Sequence, residues 1–530
     1  MGVAGSSNAF SLSLYNLKAY STKDPLLRRE WDFKVIQHPL IQHQQFELKV
    51  KEHASFIVDM KPTLVGFSVY MWNVKYFEML SLSIKSQAPE IKLVWGGPEI
   101  DSEHVRQGKF DGMAIDFCVS GEGEQTFFEL LQSLLRDSAD YSRINGLSYR
   151  DSLDASFEQN EKREAFHSLG KIPSPFLTGN VDDEVLMRRG VEANIETQRG
   201  CNLRCSFCIY HKDMPRISYA DVTRTIDEIR FVINKGVKKI RLVDANFGST
   251  LEHAKAVMNG IIENKFETRL MVELIPGFID EELAELFYEF NALYPWNEMT
   301  LGIGVQTINL QVAKKVRRGI KLEEFERTFD LIQKYQVYAK IDLIVGLPGE
   351  DLESIAETFE YMMDKMIGST SHLLCCHVLR GLPGTELLEI AKEEEMQFTS
   401  EFEAHELYES PTLPRKNMLK ALRRTAVMFR LVNHSGWTKR EFIFQVRSEG
   451  FSIRDNFVEA RNKLCISNVE LIDVMVDGLM KYLGPESYFV QERFPYAETW
   501  WWSMSKVEIP DKWIIDFLQK VSSADMEVVV

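Results

Sequence analysis

Cysteine is scarce in this chain. There are seven in 530 residues, an odd number with no regular spacing, which excludes a disulfide framework. Long hydrophobic runs are missing too: none reaches the roughly 18–20 apolar residues that a membrane-crossing helix needs. The first residues, Met-Gly-Val-Ala-Gly-Ser-Ser, lack the basic and apolar regions of a secretory signal. Positive charge is in deficit, with 62 Lys and Arg against 78 Asp and Glu and a net charge of -16. General nucleic-acid binding, which rests on Lys and Arg at phosphates, is therefore not expected. Internal repeats and long low-complexity tracts are absent, so solenoids and propellers are not expected either. Thiols without an export signal suit a reducing compartment. The expectation is a cytoplasmic protein with no membrane and no nucleic-acid partner.

What is present is globular sequence, 45% hydrophobic and 26% charged, long enough for two to four domains. Three of the seven cysteines crowd into one stretch, Arg199-Gly-Cys-Asn-Leu-Arg-Cys-Ser-Phe-Cys208. Cys201, Cys205 and Cys208 stand at C-x3-C-x2-C spacing. Iron–sulfur cubes are held by cysteine thiolates, four as a rule. Three thiolates this close would hold three irons and leave the fourth to a ligand from outside the chain. The plain alternative, three unrelated reduced cysteines, leaves their clustering unexplained.

On the N-terminal side, strands and helices alternate. Asn8–Leu17 reads as a first strand and 46–60 as a helix. Thr63–Tyr70, Glu90–Trp95 and Asp116–Ser120 read as short buried strands, with helical periodicity at 74–87 and Gln125–Arg136. The alternation predicts an α/β, doubly wound, Rossmann-like domain over 1–145, with ligand bound beyond the carboxyl ends of its strands. Three segments lie there: Ser68, Tyr70, Trp72 and Asn73; Gly96, Gly97, Pro98 and Glu99; Gly121, Glu122, Gly123 and Glu124. One glycine pair alone is a tight turn, but three glycine-rich or aromatic strand ends let backbone approach a large ligand. The set resembles the cobalamin-binding domain of cobalamin-dependent radical S-adenosylmethionine (SAM) enzymes, and the resemblance assigns these residues to cobalamin. One departure is the absence of an Asp-x-His-x-x-Gly motif. It implies no histidine under cobalt, with Tyr70, Trp72 or Asn73 facing the lower side of the corrin or simply packed.

Residues 146–185 are polar and turn-rich and read as a linker. Over 186–395 six strand–helix repeats follow, with strands at Val191–Glu196, Lys239–Asp244, Arg269–Leu274, Met299–Val305, Ala339–Val345 and Leu373–Val378. Helices are expected between them, one spanning Ser218–Lys235. This predicts a partial (β/α)6 barrel whose site lies at the carboxyl ends of the strands; the cysteine loop follows the first. The order of motifs resembles the radical SAM superfamily. The resemblance implies that the open iron takes the amino and carboxylate groups of SAM, and that an electron donor such as flavodoxin or ferredoxin drives its cleavage to a 5′-deoxyadenosyl radical. It assigns Phe207 to the cluster loop beside SAM, Glu273 and Arg318 to the methionine moiety, and Gln306 and Asp342 to the ribose. Asp244 and Asn246 stand where many members have Gly-Gly-Glu and are further SAM candidates. A carboxylate suits an ammonium and a guanidinium suits a carboxylate; ordinary strand-end capping is the alternative for each. Cys375 and Cys376 read as apolar fillers, His377 as a core histidine with a substrate contact as the alternative, and Arg380 as a candidate contact for a substrate carboxylate.

The remainder, 396–530, is expected to form a mostly helical C-terminal domain and a candidate substrate lid. Helices are predicted at Lys416–His434, Val469–Leu483 and Pro510–Val521, and Tyr496–Trp502 is an aromatic cluster that suits core packing or a pocket wall. The expected function is that of a cobalamin-dependent radical SAM C-methyltransferase. It would move a methyl group from methylcobalamin to an unactivated carbon of a natural-product precursor, amino acid or peptide. The alternatives are cyclisation or ring rearrangement without methyl transfer, polar methylation, and a non-catalytic sensor. The intact set of Cys201, Cys205, Cys208, Gln306 and Asp342 weighs against the last.

Overall fold

Apolar strands flanked by amphipathic helices set the architecture throughout. The structure, a computed structural model, describes residues 2–4, 10–39, 41, 45–136, 139–212, 214, 216–319, 321–367, 372–399, 405–432, 452–487, 489–490 and 509–522. Its backbone divides into two units. The first comprises Met1–Glu273, Glu281–Met299 and Leu382–Leu388; the second comprises Leu274–Asp280, Thr300–Gly381 and Glu389–Val530.

The first unit opens with a seven-stranded sheet. Its strands are β1 (Gly2–Ala4), β2 (Gln37–Pro39), β3 (Leu64–Ser68), β4 (Lys92–Gly96), β5 (Phe117–Val119), β6 (Leu147–Tyr149) and β7 (Glu158–Gln159), in the order β2-β1-β3-β4-β5-β6-β7. The first five are parallel, and β6 and β7 are antiparallel. Between them run α1 (Leu12–Thr22), α2 (Pro25–Glu30), α3 (Phe46–Asp59), α4 (Val74–Gln87), α5 (Ser102–Arg106) and α6 (Gly123–Leu134). Side chains alternate across β4 and feed both faces. Leu93 and Trp95 join Val50 and Ile57 of α3 and Phe77 and Leu80 of α4 in one core. Val94 joins Phe117, Val119, Leu130 and Leu147 in the other. The buried Trp95 indole donates to the Ser81 hydroxyl at 3.1 Å, so its N–H is satisfied within the core. Register sets Ser68 opposite Gly96 and Gly96 opposite Val119. The three strands therefore end level, and the loops after them leave from one edge.

Two expectations are corrected here. The described part of Asn8–Leu17 holds no strand: Leu12–Thr22 is helical, with Tyr15 and Ala19 buried four residues apart. A short apolar run does not distinguish a strand from one turn of buried helix. The sheet also continues past 145, taking β6 and β7 from the span read as a linker. Their sequences, Leu-Ser-Tyr and Glu-Gln, are too short to carry a period.

The first unit continues with α7 (Asp183–Leu186), β8 (Glu192–Ile195), β9 (Gln198–Arg199), β10 (Ser218–Tyr219), α8 (Val222–Asn234), β11 (Lys239–Leu242), α9 (Leu251–Glu263), β12 (Arg269–Leu274) and α10 (Glu281–Leu293). β8 and β12 flank β11 in parallel. β9 and β10 pair Arg199 with Ser218 and Gln198 with Tyr219, closing the base of the cysteine loop. The helix expected from Ser218 therefore starts later, at Val222, where Asp221 accepts from the Thr223 and Arg224 amides.

The second unit holds β13 (Glu298–Gln306, entering from the first unit), α11 (Leu310–Lys315), α12 (Leu322–Lys334), β14 (Tyr338–Val345), α13 (Leu352–Met366), β15 (His372–Val378) and α14 (Leu387–Glu393). β13 and β15 flank β14 in parallel. The second unit thus holds three parallel strands, each followed by helix. After β16 (Gln397–Phe398) and β17 (Leu407–Glu409) come α15 (Arg415–Val432), α16 (Ile453–Leu464), α17 (Asn468–Leu483) and α18 (Asp511–Ser522). α15 packs on α13, β15 and α17. Glu360 of α13 accepts from the Asn468 and Val469 amides at 3.0 and 2.9 Å, holding the start of α17. The aromatic cluster at Tyr496–Trp502 lies outside the described residues. Among those described, no helix is long and apolar enough to cross a membrane.

Candidate cofactor site

The cysteine loop is shaped from below by buried polar groups. Asp244, just past β11, is 1% exposed. It accepts from the Thr197 and Gln198 amides at 2.8 and 3.0 Å and from the Thr197 hydroxyl at 2.5 Å. Burial pushes its carboxyl up to about 7 despite those bonds. Asn246, fully buried, donates to Asn202 Oδ1 at 3.3 Å, and its backbone carbonyl accepts from Gln198 Nε2. The sequence reading gives both residues to SAM. In the structure these bonds fix the chain as it enters the cysteines. Cys205 is buried, Cys201 and Cys208 half-buried, and none of the seven cysteines is in a disulfide. The Leu203 amide donates to Cys201 Sγ at 3.4 Å, and the Cys208 amide to the Cys205 carbonyl at 3.0 Å. Phe207 is half-buried between them in sequence.

Arg199 opens the loop and is held by three carboxylates. It reaches Glu196 at 2.8 Å, Glu122 at 2.6 Å and Glu124 at 3.0 Å. Burial opposes its charge, but the three glutamates outweigh it and raise the guanidinium pKa. On the other side of the loop, Lys212 pairs with Asp101. Burial opposes ionisation of Asp101 as well, and Lys212 overcomes it, holding the carboxyl below its usual range. The carboxylates of Glu122 and Glu124, expected to meet cobalamin, are thus occupied by Arg199, and the Phe166 amide takes the second oxygen of Glu122 at 2.5 Å.

The other strand-end residues divide by what surrounds them. Asn73, 1% exposed, donates to the Ser68 carbonyl at 3.1 Å and accepts from the Tyr70 amide at 2.8 Å; it staples its own turn. Tyr70 and Trp72 are half-buried and stack at 4.5 Å and 12°. Gly97 has φ +110°, and a Cβ there would lie 2.6 Å from the Val69 carbonyl, so glycine is required by the neighbouring strand end. Pro98 is exposed, and Glu99 is buried with Lys109 at 4.0 Å. A Cβ on Gly96 or Gly123 meets only ordinary packing, whereas one on Gly121, at φ +79°, would meet nothing within 4 Å. Ser120, between β5 and Gly121, has a buried hydroxyl with no partner. It is a further candidate that the sequence reading passed over, although it closes β5 as Ser68 closes β3.

Tyr210, two residues past Cys208, was also passed over. It is 56% exposed, yet burial pushes its phenol up to about 12, with Arg241, Tyr70, Cys208 and Glu273 all close enough to act on it. Arg241 and Glu273 form an ion pair at the ends of β11 and β12.

In the second unit, β13 ends at Gln306 with a bulge and a left-handed φ of +69°. Its buried Oε1 has no partner among the described residues. Arg318, 7% exposed, donates to the Gly304 carbonyl. Asp342 has His377 Nε2 and Lys340 Nζ each at 3.0 Å. Burial opposes its charge, and these two partners outweigh it, so its carboxyl stays below the usual range. His377 is thus a partner of Asp342 rather than a core filler. Arg380 pairs with buried Glu406 at 2.6 Å, which gives it an internal partner in place of the expected substrate.

Comparison with known proteins fits this geometry. Residues 195–362 match the radical SAM superfamily, and residues 26–131 match the B12 binding domain. One chain thus carries both a radical SAM domain and a B12-binding domain. It is 27% identical over 354 residues to the 2-(S-pantetheinyl)-carbapenam-3-carboxylate methyltransferase of Streptantibioticus cattleyicolor. It is 28% identical over 354 residues to the cobalamin-dependent radical SAM methyltransferase TokK of Streptomyces tokunonensis. Each match covers 64% of this chain and 49% of the relative, so the chain spans about half the length of these curated relatives. Two solved structures share its fold. One is the cobalamin-dependent S-adenosylmethionine radical enzyme OxsB with aqua-cobalamin bound, with TM-score 0.63 and 15% identity, covering 99% of this chain and 80% of that one. The other is TsrM from Kitasatospora setae with cobalamin and a [4Fe-4S] cluster bound, with TM-score 0.57 and 20% identity, covering 75% of each.

The radical SAM domain implies a 4Fe–4S cluster and SAM, and the B12-binding domain implies cobalamin. The residues fit these groups. Among the described residues no three His, Cys, Asp or Glu converge on a single ion; a cube gives each thiolate its own iron and needs no such point. The B12-binding domain offers open space at Gly121 beside the unpartnered Ser120 hydroxyl. The radical SAM domain offers the unpartnered Gln306 amide oxygen, and a buried acceptor without a donor is uncommon unless a ligand supplies one.

Proposed function

We propose that this protein is a C-methyltransferase acting on an unactivated carbon of a small molecule, amino acid or peptide. The observation that carries the reading is the seating of the cysteine loop. The span from Arg199 to Lys212 is tied to the loops after β4 and β5, where the B12-binding domain has its glycine-carved strand ends. When bound, SAM and the cluster supply a hydrogen-abstracting radical, and cobalamin supplies a methyl carrier. The chain's own work is to place and shield them. Cys201, Cys205 and Cys208 hold three irons and leave one for SAM. The Leu203 amide tempers the charge on Cys201. Gln306, Arg318 and Asp342 stand as SAM contacts, with Lys340 and His377 fixing the Asp342 carboxylate. Ser68, Tyr70, Trp72, Gly96, Gly97, Ser120 and Gly121 stand around cobalamin, and Tyr210 lines the recess where substrate would meet both cofactors. The similarity to a 2-(S-pantetheinyl)-carbapenam-3-carboxylate methyltransferase supports a small-molecule substrate. A reducing, cytoplasmic setting and a flavodoxin- or ferredoxin-like electron donor complete the proposal.

The test is anaerobic reconstitution with iron, sulfide, hydroxocobalamin, SAM and a reductant, followed by mass spectrometry. Formation of both 5′-deoxyadenosine and S-adenosylhomocysteine is expected. Deoxyadenosine alone would contradict methyl transfer and point to rearrangement. Homocysteine product alone would point to polar methylation.

A further inference from the structure

Two cations bracket the cysteines. Arg199 lies just before Cys201 and Lys212 just after Cys208. They reach different places on the B12-binding domain: Arg199 meets Glu122 and Glu124 after β5, and Lys212 meets Asp101 after β4. None of these carboxylates sits on a loose arm. Asp101 accepts from the Glu103 and His104 amides and caps α5, Glu122 also accepts from the Phe166 amide, and Glu124 is in the first turn of α6. Glu196, just past β8, grips Arg199 from the radical SAM side. A third segment closes over Lys212: the Leu387 amide donates to the Ser206 carbonyl at 2.9 Å, and Gly384, at φ +68°, leaves no room for a Cβ against Lys212 and Asp101.

We infer that Arg199 and Lys212 are positioning residues that set the spacing between the cluster and cobalamin sites. One fastening would act as a hinge. Two, on adjacent strand ends at opposite sides of the cysteine loop, fix both separation and orientation. Burying these charges is a poor route to stability alone, because desolvation offsets most of the attraction; their geometric demand is what the site uses. The inference rests on the two-cofactor reading above.

The test uses the holoprotein carrying reduced cluster and cob(II)alamin, read by low-temperature electron paramagnetic resonance. A nearby reduced cluster speeds the spin relaxation of cob(II)alamin. In the double variant Arg199→Gln/Lys212→Gln, iron and cobalt contents are expected to match wild type while the relaxation enhancement is lost. The conservative pair Arg199→Lys/Lys212→Arg recovers it in large part. Unchanged enhancement in the Gln pair, with both cofactors bound, would overturn the inference. So would loss of cobalamin from that pair, which would make the cations binding groups instead. If the Gln pair does not fold, Asp101→Asn/Glu124→Gln weakens the same contacts from the other side at constant shape, with the same expectation. Absence of cobalamin from wild-type protein is a separate result: it overturns the cofactor reading itself, and the spacing role with it.

Discussion

Single carboxylates in this protein hold backbone in place. Glu350, after β14, is 2% exposed, and one of its oxygens accepts from the Gly346 and Leu347 amides at 2.6 and 3.2 Å. Burial pushes its carboxyl up from 4.5 to about 8. The folded state therefore keeps a proton that the unfolded state releases, so Glu350 lowers stability progressively as pH rises from about 4.5 to about 8. Each unit of difference corresponds to about 1.4 kcal/mol. Glu350→Gln can accept both amides at one oxygen without titrating. Urea denaturation across that window should show the variant close to wild type at the acid end and increasingly the more stable of the two toward pH 8. A gap that narrows with pH would contradict this. Asp244 has the same character. Its bonds to Thr197 and Gln198 are not legible in sequence, because a carboxylate at a strand end looks alike whether its donors are backbone amides or a ligand. The cysteines were legible for the opposite reason: their spacing is local and their chemistry needs no partner from elsewhere. The hold of Glu122 and Glu124 on Arg199 bridges more than seventy residues, and no local pattern announces it.

Among the elements, the level ends of β3, β4 and β5 matter most, and their glycines differ in kind. Gly97→Ala forces a left-handed φ on alanine and drives its Cβ into Val69 backbone, which should cost about 1–3 kcal/mol. Gly121→Ala carries only the conformational penalty, on the order of 1 kcal/mol. Thermal denaturation should thus rank Gly97→Ala below Gly121→Ala, and the first should also lose more cobalamin after reconstitution. Equal midpoints would show that the segments after β3 and β4 give way. Helices and strands with a clear period were legible nearly to the residue, as with α4 at Val74–Gln87 and β12 at Arg269–Leu274. α1 was misread because its buried residues form one short apolar run. β6 and β7 escaped because they exist only through pairing with β5.

For the whole molecule, the doubly wound sheet and the six strand–helix repeats followed from alternation of elements, and the matches to the B12 binding domain and radical SAM superfamily agree with both. What alternation could not supply is how one chain joins them. That junction is built from isolated charges, Arg199, Lys212, Asp101, Glu122 and Glu124, each unremarkable in its own neighbourhood. The central claim is that one chain holds both an open-iron cluster and cobalamin. Iron and cobalamin contents of the anaerobically reconstituted protein test it most directly, with Cys205→Ala alongside. The expected result is about four irons and equimolar cobalamin in wild type, and little iron but undiminished cobalamin in Cys205→Ala. Wild-type protein that loads iron without cobalamin, or a Cys205→Ala variant that loads iron as wild type does, would contradict it.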